Sequence, residues 1–379
     1  MSNFFRKLFA TTGLTRRGQL TQATQAIQQA LARQATIVER RPFAPVVATA
    51  TPASTGRFPA SSFTDASGTR SFKLFEPAGF EGQTLPLVVM LHGCTQSPDD
   101  FAAGTRMNAL AQERGLFVLY PEQAPRSNAH KCWNWFVPGD QRRGHGEPAL
   151  LAGMTRHIVD THRIDASRVY VAGLSAGGAM AAILAREYPD VFAAAGVHSG
   201  LAPGAAHDVA SAFAAMHSGA SSPAGAWAGL GSMPARTPLA GWPSVAPPAA
   251  NDKAGADAAQ GAPLIVFHGD ADATVNALNG AHVVDAALGP TAWNATRDAT
   301  TGAQEGSRAF SRVVYRDTDG ARESPSRAEH WLVHGAAHAW SGGDASGSFT
   351  ESAGPDATRE MLRFFAEHPL RHEAAKRVA

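Results

Sequence analysis

From residue 72 to residue 368 the chain alternates short apolar runs with longer stretches in which apolar side chains return every three or four positions. Runs at 72–75, 87–91, 116–120, 193–197, 264–268, 310–315 and 331–334 are short and apolar, which predicts strands. Stretches at 101–113, 148–162 and 356–368 carry helical spacing. This alternation predicts the α/β class, a mostly parallel sheet with helices on both faces. The rhythm breaks between 201 and 261, where Ala, Gly, Pro and Ser crowd together. Such a stretch is either a structureless excursion or a lid over the carboxyl edge of the sheet.

Ahead of this domain the pattern differs. Leu20, Ala23, Ile27, Ala30 and Leu31 fall on one face of a helix, which either packs on the main domain or docks on another apolar surface. Pro42, Pro45, Pro52 and Pro59, set among Ala, Thr and Ser, read as a linker. The expected organisation is a helical extension over 1–40, a linker over 41–65 and a catalytic-size domain over 66–370, with 201–261 inserted into it.

Composition narrows the function classes. A chain of 379 residues, 44% hydrophobic and 17% charged, can bury a full-sized core. Its 33 basic and 32 acidic residues balance to +1 without blocks of like charge, so nothing favours nucleic acid or an anionic membrane. No apolar run approaches the roughly 20 residues of a membrane-spanning helix. The first ten residues carry a basic pair but neither an uninterrupted apolar core nor a small-residue cleavage site. They do not read as a conventional secretory signal, which favours a cytoplasmic location. Two cysteines, Cys94 and Cys132, are too few for a disulfide scaffold or a four-thiolate zinc site.

The candidate chemistry centres on Gly173-Leu174-Ser175-Ala176-Gly177, which follows an apolar strand and opens an Ala- and Met-rich helix. A G-x-S-x-G stretch in that setting is a nucleophile elbow: glycines permit close packing, and the serine hydroxyl stands at the strand's carboxyl end. A serine nucleophile needs a base and an acid that orients it, in the chain order Ser, acid, His. After the 264–268 strand come Asp270 and Asp272; after the 331–334 strand come His334 and His338. Asp272 and His338 are favoured because they stand further into their loops, where side chains can lean over the elbow. His268 and His334 end strands and read as structural. The oxyanion hole should pair the Ala176 amide with the Cys94 amide, since Cys94 lies in the loop after an earlier strand and beside Gly93. Cys94 and Cys132 both sit in loops after strands, so a bridge between them is open. Trp340, two residues beyond His338, reads as a wall of the substrate cleft, with Trp133 and Trp135 as either further ring surfaces or core.

Five blocks carry a resemblance. Leu91-His92-Gly93-Cys94-Thr95-Gln96, Cys132-Trp133-Asn134-Trp135, Gly173 to Gly178, His268-Gly269 with Asp272, and His338-Ala339-Trp340 with Gly342-Gly343 resemble the polyhydroxybutyrate depolymerase family of esterases, over about 70–368. The resemblance implies an α/β-hydrolase fold, no metal or organic cofactor, a Ser175, Asp272, His338 triad, and hydrolysis of carboxylic esters, of short hydroxyalkanoate chains above all. The same family includes feruloyl and acetylxylan esterases, and much of it is extracellular, which sets its implied location against the N-terminal reading. Expected partners are therefore an ester or polyester substrate and, if the 20–31 helix face docks, a storage-granule surface. A non-catalytic granule-binding protein on the same scaffold is the expectation from a different class.

Overall fold

The computed structural model describes residues 56–219, 261–289, 296–303, 307–316 and 326–370. In chain order its elements are β1 (Ala60–Asp65), β2 (Gly68–Phe75), β3 (Leu85–Leu91), α1 (Pro98–Thr105), α2 (Met107–Arg114), β4 (Phe117–Pro121), a 3-10 turn (Pro138–Gln141), α3 (Gly146–Thr161), β5 (Ile164–Leu174), α4 (Ala176–Glu187), β6 (Ala194–His198), α5 (Val209–Ser218), β7 (Leu264–Gly269), α6 (Leu278–Leu288), β8 (Thr296–Gly302), β9 (Phe310–Arg316), β10 (Ala328–Val333), β11 (Trp340–Ser341), β12 (Thr350–Glu351) and α7 (Ala357–Glu367). The main sheet has ten strands in the order β1-β2-β4-β3-β5-β6-β7-β10-β9-β8. The six from β4 to β10 are parallel, and antiparallel strands close both edges.

Alternation along the central strands divides the core. Leu87, Val89 and Leu91 of β3 pack with Leu151 and Ile158 of α3, Met180 and Ile183 of α4 and Val283 of α6. Val88 and Met90 point the other way, toward Phe101, Met107 and the Met361, Phe364 and Phe365 face of α7. Because both faces are covered, the parallel strands read as continuous apolar runs. Each fully buried large side chain contributes roughly 1.5–3 kcal/mol.

Several expectations shift. The stretch read as helix over 101–113 is two helices, because Arg106 adopts a left-handed conformation at φ 55° and its guanidinium bonds Asp356 and the Gly342 carbonyl. The end of the stretch read as linker is β1, an edge strand paired only with β2. Its mostly exposed side chains give no apolar alternation to read. Within the 201–261 insertion, residues 209–218 form α5, opened by Asp208 with a reciprocal bond to Ser211. The helix expected around Leu20 to Leu31, the linker expected over 41–55 and the insertion over 220–260 lie outside the described residues. Among the described residues no helix is long and apolar enough to cross a membrane.

Candidate active site

The site is assembled where β3, β5, β7 and β10 end. Between β5 and α4, Ser175 adopts φ 58° and ψ −118°, a region that costs an L-residue of order 1–3 kcal/mol and persists only where its surroundings enforce it. They do so through packing. A Cβ on Gly177 would lie 2.0 Å from the Leu91 carbonyl oxygen, and one on Gly173 would lie 2.4 Å from the Gly177 carbonyl. Glycine is therefore obligatory on both sides of the turn. The Ser175 N–H is tied to the His198 carbonyl at 2.9 Å, which fixes the turn against β6. Ala176, as the first residue of α4, has an amide with no intrahelical acceptor, and it sits at the positive end of the helix dipole.

The loop after β3 presents a second amide by elimination. Gly93 N–H donates to Gln96 Oε1 at 2.8 Å, Thr95 N–H to the His130 carbonyl at 2.8 Å and Gln96 N–H to the Gly93 carbonyl at 3.3 Å. The Cys94 N–H has no acceptor among the described residues. This loop is held from behind. Cys94 is disulfide-bonded to Cys132, and His92, fully buried, accepts the Gln123 N–H at Nε2. Its Nδ1 must then carry the proton, which it donates to the Gly93 carbonyl at 2.7 Å. Burial pushes the His92 pKa down to about 4, so the ring stays neutral. Gln123 in turn bonds Glu147, which also accepts the Asn134 N–H and faces the buried Arg70 guanidinium.

Parallel pairing of β7 with β10, Gly269 opposite Val333, sets two aspartate and histidine loops side by side. Asp272 and His338 meet at 2.7 Å, Oδ2 to Nδ1, with side chains 0% and 8% exposed. Asp270 and His334 meet at 2.8 Å with side chains 37% and 40% exposed. The inner pair has the stronger support. Asp272 Oδ1 accepts the Thr274 and Val275 N–H groups at 2.9 and 2.8 Å, and His268 Nε2 stands 3.5 Å from its Oδ2. Burial opposes the charge on Asp272, but the facing His338 and the hydrogen bonds from His268 and His338 outweigh it and hold the carboxyl well below the usual carboxylate range. A permanently ionised acceptor keeps the His338 proton on Nδ1, leaving Nε2 as a free base. Ser175 and His338 line one cavity together with Gly93, Cys94, Leu174 and Phe349. The outer pair is used differently: Asp270 accepts the Gly335 N–H, and His334 Nε2 bonds Ser311 Oγ at 2.9 Å. Those bonds tie the β10 loop to the β7 loop and to β9.

Two of the expected substrate-binding rings do not reach this cavity. Trp340 is fully buried; it donates to Thr358 Oγ1 at 3.0 Å and stacks on His198 with ring centroids 5.1 Å apart. Its closeness to His338 in the chain misleads, because β11 turns the ring inward. Trp133 is likewise buried, donating to the His92 carbonyl at 3.1 Å, so it supports the Cys94 loop. Trp135 is also core. The aromatic side chain that does line the cavity, Phe349, lies in a stretch of Ser and Gly with no periodicity to reveal it. His198 was missed as well. Its Nε2 accepts the Ser341 N–H at 3.0 Å and its Nδ1 contacts Ser199 Oγ, so it braces the segment after His338 from beneath. Burial lowers its pKa to about 3.

Residues 70–231 match the family model described as Esterase PHB depolymerase. Poly(3-hydroxyalkanoate) depolymerase C of Paucimonas lemoignei is 42% identical over 154 residues, covering 41% of this chain and 37% of that protein. Feruloyl esterase B of Thermothelomyces thermophilus is 39% identical over 128 residues, covering 34% of this chain and 43% of its own. The chain thus spans less than half the length of these curated relatives. An acetyl xylan esterase from Aspergillus awamori superposes with a TM-score of 0.56 at 17% identity, over 82% of this chain and 99% of that one. The two-sided parallel sheet and its strand-to-helix elbow are accordingly an α/β-hydrolase fold, and residues 70–231 are similar to the Esterase PHB depolymerase family.

Proposed function

We propose that the protein is a serine esterase that hydrolyses poly(3-hydroxybutyrate) or short hydroxyalkanoate oligomers, with Ser175, Asp272 and His338 as triad. The observation that carries the proposal is the buried 2.7 Å Asp272 to His338 bond, with the imidazole sharing a cavity with a strained serine. His338 Nε2 takes the Ser175 proton as the hydroxyl oxygen attacks the ester carbonyl. The tetrahedral oxyanion is held by the Cys94 and Ala176 amides. His338 then protonates the departing alcohol, and the same imidazole deprotonates water to release the acid and restore the serine. Removing one oxyanion donor in comparable sites costs about 3–4 kcal/mol of barrier, so the packing behind the Cys94 loop matters as much as the triad.

The relatives support ester hydrolysis and differ in substrate. A feruloyl or acetylxylan type of carbohydrate esterase is the second reading, favoured by the feruloyl esterase B similarity. The polyester reading is preferred because the indoles that would stack on a sugar or ferulate, Trp133 and Trp340, are buried. Turnover of hydroxybutyrate oligomers, nitrophenyl esters and methyl ferulate, measured on wild type and Ser175→Ala, tests both. Hydrolysis of the oligomers, abolished in Ser175→Ala, is expected; a clear preference for methyl ferulate would shift the assignment to the second reading. If a fluorophosphonate leaves Ser175 unlabelled and no ester is turned over, the non-catalytic scaffold replaces both. Docking to a storage granule through Leu20, Ile27 and Leu31 is a separate proposal, to be dropped if deleting residues 1–40 leaves localisation unchanged.

A further inference from the structure

The cavity at Ser175 has a volume of about 20 Å³, room for roughly one water-sized group. Of its lining residues, Gly93, Cys94, Leu174, Ser175 and His338 belong to the loops that build the site, whereas Phe349 arrives from the segment between β11 and β12. Its backbone lies in the left-handed region at φ 53°, a costly choice for an aromatic residue that survives only when neighbouring contacts enforce it. Those contacts are present on both sides. Ser348 donates through N–H and Oγ to the two Asp100 carboxylate oxygens at 2.8 and 2.5 Å. Gln96 Nε2 donates to the Ser348 carbonyl at 3.1 Å and to Asp100 at 2.8 Å. The Phe349 carbonyl accepts the Trp340 N–H at 2.7 Å. The segment is also seated on α1 at backbone distance, since a Cβ on Gly347 would stand 2.4 Å from the Gly104 Cα. The ring meets the His338 imidazole edge-on with centroids 6.4 Å apart.

We infer that Phe349 sets the size limit for the group lodged against Ser175, restricting the site to short acyl or hydroxyacyl units, with Asp100, Ser348 and Gln96 as the residues that position its ring. A side chain carried on a backbone that is held from both sides against the cavity acts as a fixed wall, and each methylene that a hydrophobic wall admits or rejects is worth about 10–200-fold in specificity.

The inference rests on the esterase reading. The test compares kcat/KM for nitrophenyl acetate, butyrate, hexanoate and octanoate in wild type, Phe349→Leu, Phe349→Ala and Asp100→Asn, each normalised to sites titratable by a fluorophosphonate. The octanoate to acetate ratio is expected to rise about tenfold or more in Phe349→Ala, less in Phe349→Leu, and in the same direction in Asp100→Asn, where the wall is released without being shortened. Should Phe349→Ala fail to fold, Phe349→Leu carries the comparison. A ratio that stays within twofold of wild type in the titratable Phe349 variants overturns the inference. A wild type that is neither labelled nor active on any of the four esters strikes instead at the esterase reading.

Discussion

Replacing Asp272 with asparagine changes one atom of the site and reverses the logic of its hydrogen bonds. Oδ1 accepts two backbone N–H groups, from Thr274 and Val275. In the substituted side chain the carbonyl oxygen must stay there, since an amide nitrogen cannot accept from either. The NH2 group is then turned toward His338 Nδ1, where Asp272 now accepts at 2.7 Å. Two donors cannot share that contact, so the imidazole must move its proton to Nε2. A His338 protonated on Nε2 has no lone pair for the Ser175 hydroxyl. The wrong tautomer in a serine, histidine and aspartate triad costs about 10⁴ in kcat, equivalent to about 5.5 kcal/mol of barrier, with KM little altered because substrate contacts are untouched. The assay is steady-state hydrolysis of nitrophenyl butyrate by Asp272→Asn and, beside it, Asp270→Asn. The second variant alters the exposed pair and should stay within a few-fold of wild type. Thermal unfolding of both proteins checks that the fold persists. The reasoning is refuted if a folded Asp272→Asn keeps activity within tenfold of wild type, or if Asp270→Asn loses as much.

The Cys94 to Cys132 bond closes a span of 38 residues, for which chain entropy gives a stabilisation of about 4 kcal/mol; reduction should lower the urea midpoint accordingly, and thiol titration should find no free cysteine beforehand. An unchanged midpoint after complete reduction would count against the entropic argument. His92 and His198 are held by burial at pKa values of about 4 and about 3, against about 6.5 in an unfolded chain. Both folded values are depressed, so this stability is fully present above pH 6.5 and is lost as pH falls, at roughly 2.7 kcal/mol per pH unit while the unfolded chain binds two extra protons. Urea midpoints at pH 7 and pH 5 measure it, and equal midpoints would show that these rings are not buried neutral. Gly177→Ala places a Cβ where the Leu91 and His92 carbonyls stand at 2.0 and 2.6 Å; neither backbone group can rotate away, and a loss of several kcal/mol or failure to fold is expected, whereas Gly139→Ala, with nothing within 4 Å, should melt like wild type.

The alternation of apolar runs with helical spacing was enough to read the α/β class, because strands covered on both faces and helices with one buried stripe leave different periods in the chain. What escaped has physical reasons. Strand β1 is an exposed edge with no alternation, and the break at Arg106 depends on Asp356, some 250 positions away. The serine turn was legible because its glycines are demanded by contacts between neighbouring segments. The Trp340 expectation failed for the opposite reason: adjacency in sequence carries no information about the face to which a two-residue strand turns its rings.

The alternation of central strands with helices, the elbow and a short list of acids and bases could all be read from the chain, since each is written in local spacing and side-chain chemistry. Asp270 could be ranked against Asp272, and His334 against His338, only by distance from the strand ends. The register of β7 beside β10 settled their partners: it stacks the two loops so that one pair forms in the dry interior and the other in solvent, and only burial makes an aspartate a fixed orienter of its histidine. Folding likewise brought Gln96, Asp100 and Ser348 together to hold Phe349 at the cavity. Gln96 and Asp100 come from the turn into α1 and Ser348 from the segment before β12, separated by most of the domain, and no local pattern records a contact that exists only once the sheet has brought its strand ends to one edge.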